Sequence, residues 1–146
     1  MSWKMRKNNR EIIEYLNILI EKIKDYYSIK CVIFFGSRAR GDFSPHSDID
    51  LIIVGNFRQK FINRADKIYE IHDWKLGLDV FCYRPQEFDE LFHNGTVSAL
   101  DAIDEGICLY GMDFFKKYER KLNKLKKRGL YKDPPVWVLP ESMEVE

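Results

Sequence analysis

A Gly36-Ser37 pair, ten residues, then Asp48-x-Asp50, and a further aspartate, Asp79, inside an apolar run are the residues whose types and order can do chemistry. Glycine lets a ligand approach the backbone closely. The amides after Gly36, together with the Ser37 hydroxyl, can donate to phosphate oxygens. Asp48 and Asp50, two apart on a strand, project side by side, and their repulsion under partial burial calls for a cation. Mg²⁺ suits them, because it takes oxygen ligands and is commonly held by one or two carboxylates plus substrate phosphates. With Asp79 on an adjacent strand three carboxylates converge, enough to hold two metal ions about 3.5–4 Å apart in an in-line phosphoryl displacement. Asp79 then stands on the attacking side, where it can take the proton of an attacking hydroxyl.

These groups need a scaffold. Residues 31–35 are apolar throughout and stop at Gly36, the pattern of a strand buried on both faces. Ser37 is expected to cap a short helix through Arg38 to Arg40, followed by a loop containing Gly41, Asp42, Ser44 and Pro45. Residues 48–54 start with alternation and turn wholly apolar, a central strand whose first end emerges at a polar site. After Gly77, residues 78–83 read as a third strand that puts Asp79 on the face of Phe81 and Tyr83. Asp73 is a competing acid, but it lies beside a helix end and a turn, where acids are ordinary.

Around these strands, Ile12, Ile13, Leu16, Leu19, Ile20, Ile23 and Tyr27 recur at helical spacing and predict an amphipathic helix over residues 10–27. A second helix is expected over 57–72, short helices over 87–92 and 98–105, and a short strand over 107–110. Residues 113–128 read as a basic helix with a stripe of Phe114, Phe115, Tyr118, Leu122 and Leu125. Past Gly129, Pro134, Pro135 and Pro140 exclude a helix or an inner strand, although residues 136–139 are apolar enough to dock.

The sequence Gly36-Ser37-x10-Asp48-x-Asp50 with a later apolar-Asp-apolar element resembles the nucleotidyltransferases related to DNA polymerase beta. Within that superfamily, residues 36–41 (GSRARG), 47–51 (SDIDL) and 102–111 (AIDEGICLYG) resemble the minimal nucleotidyltransferases, the MNT family, which occur as antitoxins paired with HEPN-domain ribonuclease toxins. The resemblance covers residues 12–111. It implies an α/β (α+β) nucleotidyltransferase fold, a small mixed sheet backed by helices, that binds Mg²⁺ and a nucleoside triphosphate and transfers NMP to a hydroxyl. For an MNT antitoxin it further implies ATP as donor and a tyrosine of the toxin as acceptor. Catalytic and metal-holding roles then fall to Asp48, Asp50 and Asp79, and nucleotide contacts to Gly36, Ser37, Arg40 and Ser47. On this reading residues 1–111 are the nucleotidyltransferase domain, and 112–146 are a C-terminal extension of it to which no family role carries over. Two other readings stay open: the same transfer onto a small molecule or an RNA end, and a toxin-binding module that silences its partner by occlusion.

Composition sets the bounds. With 146 residues, 45% of them hydrophobic, one packed domain is expected. The net charge of +1 says little, but its distribution does: residues 116–132 carry nine basic groups and one acidic, whereas 11–115 carry 11 basic and 18 acidic. A charge run is usually a solvated helix face, and lysines outnumber arginines here, so direct nucleic-acid binding is not expected. Homo-oligomerisation stays open. Cys31, Cys82 and Cys108 lie in strand-like runs without CxxC spacing and read as buried thiols. His46, His72 and His93 lack metal-ligand spacing and read as surface or loop residues. A charged N-terminal stretch and the lack of a long apolar run predict a cytoplasmic protein with no membrane partner.

Overall fold

The computed structural model describes residues 3–146, with side chains from Asn9 onward. Helix α1 spans Trp3–Ile23 and leads into β1 (Ile29–Phe35), the short α2 (Gly36–Arg40) and β2 (Ile49–Gly55). After α3 (Asp66–Ile71) come β3 (Leu78–Tyr83), α4 (Pro85–His93), α5 (Val97–Glu105), β4 (Ile107–Tyr110) and α6 (Met112–Lys127). The chain closes with a hairpin of β5 (Tyr131–Asp133) and β6 (Val136–Val138). The sheet order is β3-β2-β1-β4, with β1 antiparallel to both of its neighbours and β2 parallel to β3. This is the mixed sheet backed by helices that the sequence implied.

Both faces of the sheet are covered, which is why β1 and β2 read as unbroken apolar runs. On one face Ile12, Leu16 and Ile23 of α1 and Ile68 of α3 pack on Val32, Phe34, Leu51 and Ile53. On the other, Phe88 and Phe92 of α4, Leu100 of α5 and Phe115, Tyr118 and Leu122 of α6 pack on Ile33, Ile52 and Val54. Strand β3 is an edge strand and alternates: Leu78, Val80 and Cys82 point inward, while Asp79, Phe81 and Tyr83 take the face shared with α4–α6.

The expected helix over 57–72 is a correction. Phe57 is buried against Tyr27, Phe61–Asn63 form a single 3-10 turn, and only Asp66–Ile71 are α-helical. Besides the separate apolar anchors Phe57 and Ile68, a buried ion pair ties this stretch to α4. Arg64, 3% exposed in its side chain, donates to the carbonyls of Gln59 and Cys82 and pairs with Glu87 at 2.7 Å. Glu87 also accepts from the Arg84 amide at the start of α4. Burial works against ionisation of Glu87, but the hydrogen bonds and charges of Arg64 and Arg84 outweigh it and hold the carboxyl below its ordinary value. Glu87→Ala is therefore expected to cost about 2–3 kcal/mol, less than a fully buried pair because the Glu87 side chain is 34% exposed. In urea melts this loss should be complete above the ordinary carboxylate range and shrink as pH falls through the lowered pKa of Glu87.

Past Gly129 the structure adds what the sequence left open. Trp137 of β6 is buried and its indole N–H donates to Asp101 of α5 at 2.8 Å, so the hairpin docks on the same helices as the core. Met143 and Val145 pack against that core as well, and Lys124 of α6 and Arg128, which caps its end, donate to the carbonyls of Glu146 and Glu144. Cys31 and Cys82 are buried, Cys108 half-buried, and all three are free thiols. No helix of the described residues is long and apolar enough to cross a membrane.

Candidate active site

Strand order and direction bring one end of β1 together with the starts of β2, β3 and β4. Asp48 immediately precedes β2. Asp50 stands opposite Phe35 of β1 on one side and Asp79 of β3 on the other. By alternation all three carboxylates share the face covered by α4–α6. Asp48 and Asp79 are exposed and Asp50 is half-buried. Burial, then the charges of Asp79 and Asp48, push the Asp50 carboxyl up to about 6, with Arg40 pulling the other way. These groups are thus within electrostatic reach of one another.

Two glycines back two of the aspartates. Gly36 adopts φ +82, and a Cβ placed on it would collide with Oδ2 of Asp50. A Cβ on Gly77 would likewise collide with Oδ1 of Asp48, while the Gly77 carbonyl accepts from the Ile49 amide at 2.8 Å. In the sequence Gly77 was visible only as a break before a strand. Its place two residues before Asp79 was the signal available.

Ser37 is a correction to the capping expectation. The chain turns into α2 already at Gly36, so Phe35 holds the N-cap position and makes no side-chain cap, while Ser37 lies inside the five-residue helix. The Ser37 carbonyl accepts from the amides of Gly41 and Asp42, which closes the helix into the following loop. Arg38 is buried; its Nε donates to the Ser47 carbonyl at 3.0 Å, and its guanidinium lies 4.2 Å from the centre of the Phe43 ring. It braces the loop that delivers Asp48. Ser47 Oγ accepts from the Ser44 amide at 3.0 Å and is engaged in that loop's own turn. Arg40 gives Nε to both carboxylate oxygens of Asp42 and Nη1 to Glu105 at 3.0 Å.

Other groups hold the frame from outside. His72, expected as a surface or loop residue, lies in the loop after α3 and sits between α1 and the loop before β3, its Nδ1 2.6 Å from Tyr15 Oη and its Nε2 2.6 Å from the Leu76 carbonyl. Tyr15 also accepts from the Asp73 amide, so the loop that ends at Gly77 is tied to α1. Asp73 thereby serves a turn, and Asp79 is the aspartate at the sheet end. A hollow of about 670 Å³ lies at the opposite end, between the start of β1 and the start of α6, away from these carboxylates.

A model of the nucleotidyltransferase domain matches residues 16–134. The chain belongs to the nucleotidyltransferase domain family. Among curated proteins, one of Methanocaldococcus jannaschii named "Putative protein adenylyltransferase" is 47% identical over 47 residues, 32% of this chain and 45% of that protein. The match therefore spans less than half of that relative's length. Among solved structures, "a putative nucleotidyltransferase from Sulfolobus solfataricus" aligns with TM-score 0.54 and 17% identity over 74% of this chain and 87% of that one, a likeness of fold. A toxin-antitoxin structure with AMP-PNP aligns with TM-score 0.43 and 13% identity over 79% of this chain and 93% of that one.

For a nucleotidyltransferase-family chain, the donor set can be tested against a divalent ion. Among the described residues no group of three or more His, Cys, Asp or Glu side chains is arranged to hold a metal ion. Asp50 is nonetheless half-buried, its carboxyl raised by that burial and then by its two neighbours, and backed by a glycine. That all-oxygen donor set fits a hard cation such as Mg²⁺ that arrives with phosphates as further ligands.

Proposed function

We propose that this protein transfers a nucleoside monophosphate, AMP from ATP, to a hydroxyl of a partner protein. What supports it above all is the half-buried Asp50, wedged between Asp48 and Asp79 and backed by Gly36, a strained anionic cluster that a cation-bound polyphosphate would relieve. The Gly36 backbone and Ser37 receive the polyphosphate, and Arg40 supplies a charge-assisted donor beside it. Asp48 and Asp50 hold Mg²⁺, and Asp79 completes the site. Bound there, the ion would polarise the α-phosphate and neutralise charge that develops on the leaving group.

In the transfer, the acceptor oxygen forms a bond to the α-phosphorus, the bond from that phosphorus to the bridging oxygen breaks, and pyrophosphate leaves. The acceptor proton goes to Asp79, exposed at the open edge of the sheet. The MNT resemblance of residues 36–51 and 102–111 supports reading the acceptor as a tyrosine of a HEPN-type toxin and the protein as its antitoxin. Incubating the protein and a co-purified partner with ATP labelled at the α-phosphate is expected to label the partner, whereas γ-labelled ATP leaves it unlabelled. Equal labelling from the γ position would make the protein a kinase and overturn the reading.

A further inference from the structure

A cavity of about 340 Å³ adjoins the carboxylate end of the sheet, lined in part by Arg40, Asp42, Asp101, Glu105 and Lys132. Its walls come from α2 and the loop after it, the last turn of α5, and the C-terminal hairpin, and one network of ion pairs joins them. Oε1 of Glu105 takes Nη1 of Arg40 at 3.0 Å and Nζ of Lys132 at 3.1 Å. Lys132 reaches Asp101 at 2.9 Å, and Asp101 accepts the Trp137 indole N–H. Side chains of Glu105, Lys132 and Asp101 are 21%, 19% and 16% exposed, so these pairs are held more tightly than the open surface pairs that contribute little.

Arg40 is fixed from two sides for different reasons. Asp42 is two residues further along the chain, in the loop that follows α2, whereas Glu105 ends a packed helix and refers the guanidinium to the body of the fold. The described hydrogen bonds use Nε and Nη1, while a guanidinium carries five N–H donors in a flat fork. The charge of Arg40 reaches Asp50. A long side chain already held in its working rotamer gives up less entropy when it meets a phosphate.

Resting on the nucleotidyl-transfer reading, we propose that Glu105 is a positioning residue that aims Arg40 at the nucleotide's polyphosphate, with Lys132 of the hairpin as the second cation that keeps Glu105 in place. Residues beyond 111 thereby take part in the nucleotide site. Calorimetric titration with MgATP and with magnesium tripolyphosphate tests this, the second probe carrying the charged tail alone. Glu105→Gln is expected to weaken both ligands about tenfold with the melting temperature little changed, and Lys132→Met about threefold. Arg40→Gln with Glu105→Gln should bind no more weakly than Arg40→Gln alone, since Glu105 acts through Arg40. Losses that multiply, or a Glu105→Gln protein that binds both probes as tightly as the unaltered one, overturn the inference and leave the nucleotide reading standing. If Glu105→Gln does not fold, Lys132→Met decides, and undiminished binding by it overturns the inference. An unaltered protein that binds neither probe overturns both.

Discussion

Asp50→Asn is expected to abolish label transfer from ATP while making the metal-free protein more stable. Loss of a carboxylate that holds the ion should lower the transfer rate on the order of 10³-fold, through lost positioning and lost stabilisation of the developing charge. The gain in stability has a different source. Asp50 is lifted to about 6 by burial and by two like charges, so each folded molecule above that pH carries an anion its surroundings disfavour. An isosteric amide removes it. Discounted for a group only half-buried, the gain is about 1–2 kcal/mol near neutral pH, a few degrees in melting temperature.

The sign with pH follows from proton counting. Between the ordinary value of 3.8 and about 6 the folded protein binds more protons at Asp50 than the unfolded chain does, so stability falls as pH rises through that window. In Asp50→Asn this slope disappears, whereas the contribution of Glu87, which fades as pH falls, remains. Thermal melts in a chelator across this range separate the two. Saturating MgATP, at about a hundred times its dissociation constant, should stabilise the unaltered protein by about 2.7 kcal/mol and the variant far less. A variant that labels its partner at the normal rate, or that melts below the parent in chelator at neutral pH, contradicts the role given to Asp50.

The same conflict between chemistry and packing at Asp50 explains which parts of the candidate site the sequence could announce. A carboxylate at the start of an otherwise apolar strand has no packing reason to be there, and Asp50 and Asp79 stood out for that reason. The strands were legible for a related one: β1 and β2 are buried on both faces and read as apolar runs, while β3, at an edge, alternates and assigns Asp79 a face. Residues 57–72 misled because Phe57, Phe61, Ala65 and Ile68 mimic helical spacing although they serve different partners. Phe57 packs on Tyr27, and Phe61 stacks on Tyr83 at 5.7 Å. Local periodicity cannot distinguish one stripe from several separate anchors. That residues 136–139 dock was legible from their apolar run, but the partners of Glu105 and Trp137 were not, since Arg40 lies 65 residues from the first and Asp101 lies 36 residues from the second. Such pairings are set only once the sheet order is set.

Gly36→Ala and Gly77→Ala should differ sharply, although each glycine backs an aspartate. At Gly36 a side chain meets two penalties: a φ of +82, which costs an L-residue about 1–2 kcal/mol, and a collision with Oδ2 of Asp50 in a half-buried setting with little room to yield. The carboxylate must swing aside, and a displacement of about 1 Å at a reacting group costs on the order of 10²-fold in rate. Gly77 has no positive φ, and the Asp48 side chain it would strike is exposed, so the carboxylate can turn into water. There the expected cost is below about 1 kcal/mol in stability and about tenfold in transfer. Measured together, label transfer and urea stability should rank Gly36→Ala below Gly77→Ala on both scales. Because Gly36 abuts Asp50 and Gly77 abuts Asp48, a full-rate Gly36→Ala enzyme would mean that Asp50 does not need its observed position. The polyphosphate and its ion would then have to be sought away from the junction of β1 and β2.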